Sequence, residues 1–338
     1  MTLQSDLYSG KPRIAVTGRH VVSESIGGQI GHSIEIHFEP GAQLIAADGL
    51  RRPVLDLTGN GTNTIKIVSP AVDVSHGAYG GGQTNTAIAL MGFRKATVAD
   101  VDLFGGEDWA SRNGDSGIST VDIEYTLIDG GVIRGFRDTA VYPGGNNALG
   151  PDGDGGVCDI TGLHVYDCEH AVTAKREMTM CRIDRMHAEN CTAGVIQSSV
   201  INGHYVGPAR RMHVTNSTFK RITANVARFL SEGTGKFADN TIEDWGRYQD
   251  STRNAGNNAV AISVLGAQDV RVRDNDLFER DWVGAGRIGL LIRDHKDIDG
   301  RHRVAGGVVS HGNDYGASQV LDTGSIRSHF RDVSRYQK

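Results

Sequence analysis

Apolar residues recur two or three apart in short runs broken by glycine and polar turns, without the sustained i, i+3, i+4, i+7 order of an amphipathic helix. Thr64-Ile65-Lys66-Ile67-Val68 alternates in the manner of a strand with one buried face. The runs also repeat. Ile160-x-x-Leu163-x-Val165-x-x-Cys168 reappears 23 residues on as Ile183-x-x-Met186-x-Ala188-x-x-Cys191, and each is followed by a small residue and a valine, Ala171-Val172 and Gly194-Val195. The same frame is found at Val214/Ser217/Phe219/Ile222, Phe237/Asn240/Ile242/Trp245 and Val272/Asn275/Leu277. Upstream it is found at Ile128/Gly131/Ile133/Phe136 and Val98/Val101/Leu103. Successive starts lie 30, 32, 23, 31, 23 and 35 residues apart, which reads as a minimal unit with insertions.

Three short strands joined by bends, closing in about 22 to 25 residues, make one coil of a solenoid whose coils stack at the strand spacing of about 4.8 Å. The expected fold class is therefore all-β, a right-handed parallel β-helix of about 23-residue coils with loop insertions. Expected boundaries are an N-terminal cap over 1–33, the β-helix over 34–320, and a C-terminal cap or tail over 321–338. Solenoid ends need such caps because their edges are otherwise open.

Ile36-His37-Phe38-Glu39-Pro40-Gly41-Ala42-Gln43-Leu44-Ile45 resembles the first coil of proteins in the pectate-lyase-like superfamily, and the likeness extends over roughly residues 34 to 320. That superfamily includes lyases, hydrolases, epimerases and phage spikes, so the resemblance implies a fold before an activity. In character the chain is most similar to phage tailspike and spike proteins: a start without a signal, Gly/Asn/Asp-rich coils and irregular long loops. That resemblance implies a homotrimer that meets other particle proteins and a cell-surface polysaccharide.

Composition narrows the field. The 338 residues include 45 glycines and only 7 prolines, and glycine punctuates the apolar runs as tight turns require. A formal charge of −5 without a basic block argues against nucleic acid as a partner. No apolar stretch is long enough to span a bilayer, so membrane insertion is not expected. Met1 to Arg13 lacks a signal-peptide core, so the protein is expected to stay where it is made or to have lost a leader as a secreted or periplasmic protein; the resemblance to phage spikes implies the surface of a virion or phage-like particle. The four cysteines fall in pairs 23 residues apart, Cys158/Cys181 and Cys168/Cys191, without a C-x-x-C motif, and read as buried thiols. No metal and no cofactor is expected. His164 and His187 stand in one row but lack the carboxylates a metal site would add.

Candidate chemistry sits on insertions and outward rows. The insertions at Gly105–Gly117 and Gly246–Asn258 precede the small-Val step, and those at Tyr142–Val157 and Ile196–His213 follow it, so they emerge at two corners of the coil. Glu107 and Asp108 are the candidate catalytic acids, since glycoside hydrolysis needs two carboxyl groups about 5 to 9.5 Å apart. Trp109 beside them offers a flat face for a sugar ring. Asp152 and Asp154 lie among glycines and read as turn formers. Arg134, Tyr166 and Glu189 are candidate substrate-binding residues in one outward row with Lys220 and Glu243. His204 and Tyr205 are further candidates, with the donor and base chemistry a polysaccharide lyase uses. Three functions follow. The first is a spike or tail-fibre protein that recognises a cell-surface polysaccharide, with or without cleaving it. The second is a free polysaccharide lyase or glycoside hydrolase. The third is a non-catalytic adhesion module.

Overall fold

The structure, a computed structural model, describes residues 3–78, 85–107, 113–145, 155–201, 204–246, 260–281, 288–316 and 318–331. The chain is a parallel β-helix, and its coils fall into two compact units, Met1–Glu169 and His170–Lys338.

In the N-terminal unit each coil supplies a first and a second strand to one sheet and a third strand to another. The first coil consists of Arg13–Val16, Arg19–Val22 and Ile26–Gln29, and its strands pair in parallel with Ile34–Phe38, Gln43–Ala46 and Leu55–Thr58 of the next. A short helix, Leu3–Leu7, sits beside the outermost coil. Gln4 completes the open edge there: its amide donates to the Gly27 carbonyl at 2.8 Å and accepts from the Gly27 N–H at 2.8 Å. A side chain thus does for the edge strand what a neighbouring backbone does elsewhere.

The register follows the sequence frame. Ile36, Ile67, Val98, Ile128 and Ile160 stand one above another, and all are buried. In the second strands, Leu103, Ile133 and Val165 make the same kind of column. Each such side chain contributes roughly 1.5–3 kcal/mol by leaving water, and it does so only because a neighbouring coil covers it.

The C-terminal unit repeats the arrangement. Ile183 pairs with Val214, Val214 with Phe237, and Phe237 with Val272, while Ala188, Phe219, Ile242 and Leu277 form the second column. The bend between first and second strands has a left-handed residue in coil after coil: Arg185, Asn216, Asp239 and Asp274 here, and Ser69, Asp100, Gly130 and Gly162 in the N-terminal unit. Asn, Asp and Gly tolerate that conformation best. It turns the chain in one residue and aims the N–H of Asn216, Asp239 and Asp274 at carbonyls of the next coil.

One interior column is polar. Asn240, Asn275 and Asn313 are buried at the position after this bend and form a ladder. The Asn275 Oδ1 accepts from the Asn240 N–H and side-chain amide at 3.1 and 2.9 Å, and the Asn275 amide donates to the Phe237 carbonyl at 2.9 Å. Asn313 repeats the pattern toward Asn275 and the Val272 carbonyl. Ser217 joins through its N–H, which donates to Asn240 at 3.0 Å. The frame position reads Val101, Gly131 and Leu163 in the N-terminal unit, so the ladder belongs to the later coils.

All four cysteines are buried thiols outside any disulfide, as their spacing predicts. No helix among the described residues is long and apolar enough to cross a membrane.

Candidate functional site

The outward rows are formed as the frame predicts, because side chains alternate across each strand and neighbouring coils are in register. In the N-terminal unit Phe104, Arg134 and Tyr166 occupy one row, on consecutive coils. Arg134 is exposed, and its guanidinium lies over the Phe104 ring at 4.9 Å from the centroid. Tyr166 is half-buried, stacks on His164 with centroids 6.4 Å apart, and its hydroxyl lies 3.4 Å from the His164 Nδ1. The row therefore presents a flat cation between two aromatic rings. Such a surface suits a ligand with apolar faces and acceptor oxygens. Glu107 is exposed just beyond the strand that carries Phe104. Its expected partner Asp108, and Trp109, lie outside the described residues, as do Asp152 and Asp154.

In the C-terminal unit Glu189, Lys220 and Glu243 are in register. Glu189 is held by His187 at 3.3 Å, Arg221 at 3.6 Å and Lys220 at 3.9 Å, and Lys220 also reaches Glu243 at 3.9 Å. Arg280 lies 3.4 Å from Glu243, and Arg221 3.2 Å from Asp281. This row is a network of alternating charges in which Glu189 and Lys220 are half-buried and Glu243 is buried, and each pair that water still reaches stabilises by about 0.2–1 kcal/mol. Glu189 is therefore engaged with its own neighbours.

The third-strand sheet of this unit differs. Ala193–Gln197 and Val260–Leu265 are buried along their whole length, on both faces. Two antiparallel hairpins emerge beside them: Val200–Ile201 with His204–Tyr205, and His295–Lys296 with His302–Arg303. The side chain of His204 lies outside the described residues. Tyr205 is joined to the second hairpin by Arg303, whose Nη2 donates to the tyrosine oxygen at 3.3 Å and to Asp299 at 3.0 Å, with the guanidinium also over the ring. Burial pushes the Tyr205 phenol above its ordinary value, against the opposing pull of Arg303.

Asp297, 5% exposed, anchors the hairpin tip. It accepts from Ser199 at 2.9 Å, from Ser231 and from the Ile298 N–H, and faces Arg303 Nε at 3.9 Å. Glu232 lies 3.4 Å from the same guanidinium. Half-buried His170 and Arg228 complete this side. Burial, then Arg228 and Lys175, pull the His170 imidazole down to about 3.

Of the residues singled out from sequence, the structure brings Arg134 and Tyr166 together in one row and places Tyr205 in the hairpin cluster. Glu189 stands in a separate charge network. Sequence reasoning missed Arg303, Asp297, His170 and Arg228. A signal was present for Arg228: it interrupts the apolar run Val226-Ala227-Arg228-Phe229-Leu230. The 294–304 insertion breaks the frame after Ile288–Arg293 but is short enough to pass as coil-length variation. Among the described residues no group of three or more His, Cys, Asp or Glu side chains is placed to hold a metal ion.

No family model and no curated protein matches the chain in sequence. Its fold is similar to that of the Dettilon tailspike protein, with a TM-score of 0.53 and 12% identity over 93% of this chain and 61% of the tailspike. The chain thus spans about three-fifths of that protein's length. A mannuronan C-5 epimerase, the AlgE6 A-module of Azotobacter vinelandii, aligns over 90% of this chain and 92% of its own, at 12% identity and a TM-score of 0.34. The tailspike likeness establishes the parallel β-helix as the shared fold.

Proposed function

We propose that the protein is a spike of a phage or phage-like particle that binds a cell-surface polysaccharide along the outer faces of its coils and works as a homotrimer. The observation that carries the binding reading is the row of Phe104, Arg134 and Tyr166, in which a guanidinium is flanked by aromatic side chains at successive coils. Aromatic faces suit the apolar faces of sugar rings, and the guanidinium suits their oxygens. The shared fold with a tailspike supports the particle setting by analogy. Cleavage is the finer form of this reading, and Glu107 and Asp108 are the acids it would use.

The test is affinity electrophoresis against a panel of purified bacterial O-antigen and capsular polysaccharides, with the wild type and the Arg134→Ala/Tyr166→Ala double variant. The expected result is retardation of the wild type by at least one polymer and at least a tenfold weakening in the variant, about 1.4 kcal/mol or more. Retardation unchanged in the variant would remove the row from the binding surface. Light scattering on the same protein checks the assembly: a mass of three times 36.2 kDa is expected, and a strict monomer sinks the trimer.

A further inference from the structure

On the third-strand face of the C-terminal unit, Thr173, Ile196, Arg228, Ser263 and Leu291 stand in one row, one per coil. Within Ala227–Leu230 the neighbours Ala227 and Phe229 are fully buried in the core, so alternation sends Arg228 to the outer side. That side is not open water: the third strands around it are buried on both faces. The Arg228 Nε is shielded from solvent, and among the described residues it has no hydrogen-bond partner and no carboxylate acts on the guanidinium. Arg228 and Lys175 both act on His170, and Arg228 and Arg293 both act on His295, while burial favours the neutral form of each imidazole. Asp297 also faces His295, but its oxygens are engaged by Ser199 and Ser231 and it lies beside Arg303.

Removing a cation from water costs several kcal/mol unless a partner compensates it. The ion pairs of Glu189 and of Arg303 show this chain supplying such partners elsewhere in the same unit. At Arg228 none of the described residues does so. We propose that Arg228 is a carboxylate-binding subsite for an acidic polysaccharide, with a uronate sugar as its occupant. The inference rests on the polysaccharide reading above and specifies the chemical class of the glycan. A planar guanidinium matches a carboxylate with two parallel N–H donors. His170 has a polar neighbour of its own, the Thr173 hydroxyl 3.2 Å from its Nδ1, which orients the ring beside the site.

The experiment compares sodium D-glucuronate with D-glucose, two sugars that differ at the carboxylate, by saturation-transfer NMR on the full chain and on Arg228→Met. Thermal melts of both proteins without ligand accompany it. The wild type should bind glucuronate at least about tenfold more tightly than glucose, and Arg228→Met should lose that margin. Because methionine removes an uncompensated charge, the free variant should melt no lower than the wild type. Equal binding of the two sugars, or glucuronate binding unchanged in Arg228→Met, overturns the carboxylate subsite and leaves the polysaccharide reading standing. A lower melting temperature in Arg228→Met marks the arginine as structural and also overturns the subsite. Binding of neither sugar overturns the subsite, and failure of the polysaccharide panel as well removes the reading beneath it.

Discussion

The C-terminal unit has two outer faces that carry similar side chains under different degrees of cover. On the face of the first and second strands, Glu189, Lys220 and Glu243 trade partners in a chain of ion pairs at 3.3 to 3.9 Å. On the face of the third strands, hairpins bring Asp297, Asp299, Arg303 and Tyr205 together, and Arg303 and Asp297 are only 6% and 5% exposed. The difference comes from the insertions. A bare coil leaves Glu189 and Lys220 half-buried, within reach of water, where an ion pair is weak and replaceable, although Glu243 at the end of the row is buried. A hairpin folded beside the coil takes the same groups out of water, where an unpaired charge is costly and geometry decides the outcome.

The sharpest way to break this contrast is at Arg303. Replacing it with alanine leaves Asp297 without its cation and removes the donor to Tyr205 and Asp299. The expected loss is about 3–5 kcal/mol, the range for leaving a buried charge uncompensated. It is read by urea unfolding and by faster hydrogen exchange over Ser199–Tyr205. The double replacement Asp297→Asn/Arg303→Met should recover part of the loss, because it removes both charges together. A loss below about 1 kcal/mol in Arg303→Ala would show that the covered face behaves like an ordinary solvated one.

How much of this was legible in the sequence divides along the same line. The columns Val98/Ile128/Ile160 and Val214/Phe237/Val272 were read from spacing alone, because identical in–out alternation in stacked coils leaves a fixed frame. The rows Arg134/Tyr166 and Glu189/Lys220/Glu243 followed for the same reason. The asparagine ladder lay in that frame, at Asn240 and Asn275, but pattern reading expects an apolar residue at an interior position. Nothing local in sequence says that the next coil offers a carbonyl and an amide to satisfy each side chain. The cluster of Ser199, Ser231, Asp297 and Arg303 was hidden for a further reason. Its hydrogen bonds join residues 66 and 98 positions apart through insertions that carry no repeat.

A second, smaller effect separates the two faces by pH. His170, with burial, Arg228 and Lys175 acting against its protonation, is held down to about 3 from an ordinary 6.5. A depressed histidine belongs to the fold in its neutral form, so the unfolded chain takes up the proton first. Its contribution is complete above pH 6.5 and is lost as pH falls from there toward about 3. At pH 5 the loss is about 2 kcal/mol. His170→Gln should therefore flatten the fall in stability between pH 7 and pH 5, followed by urea midpoints at each pH. An NMR titration that finds the wild-type imidazole protonating near 6.5 would show that this ring is in open water.

The smallest effect is expected at half-buried Glu189, on the face of the first and second strands. Glu189→Gln removes a carboxylate that His187, Arg221 and Lys220 share, but Arg221 retains Asp281 at 3.2 Å and Lys220 retains Glu243 at 3.9 Å. The cations are left with partners and with water, so the loss should be about 0.2–1 kcal/mol. It should also shrink at 1 M salt, where the screening length is about 3 Å. Urea midpoints at low and high salt measure both quantities. If Glu189 also contacts a glycan, the same substitution should weaken polysaccharide binding without a matching loss of stability, since the ligand would meet a side chain that the fold scarcely depends on. A stability loss above about 2 kcal/mol that persists in 1 M salt would require Glu189 itself to be fully shielded from water in solution. Another chain covering this face would do that, and the contrast between the two faces would then be one between two kinds of cover.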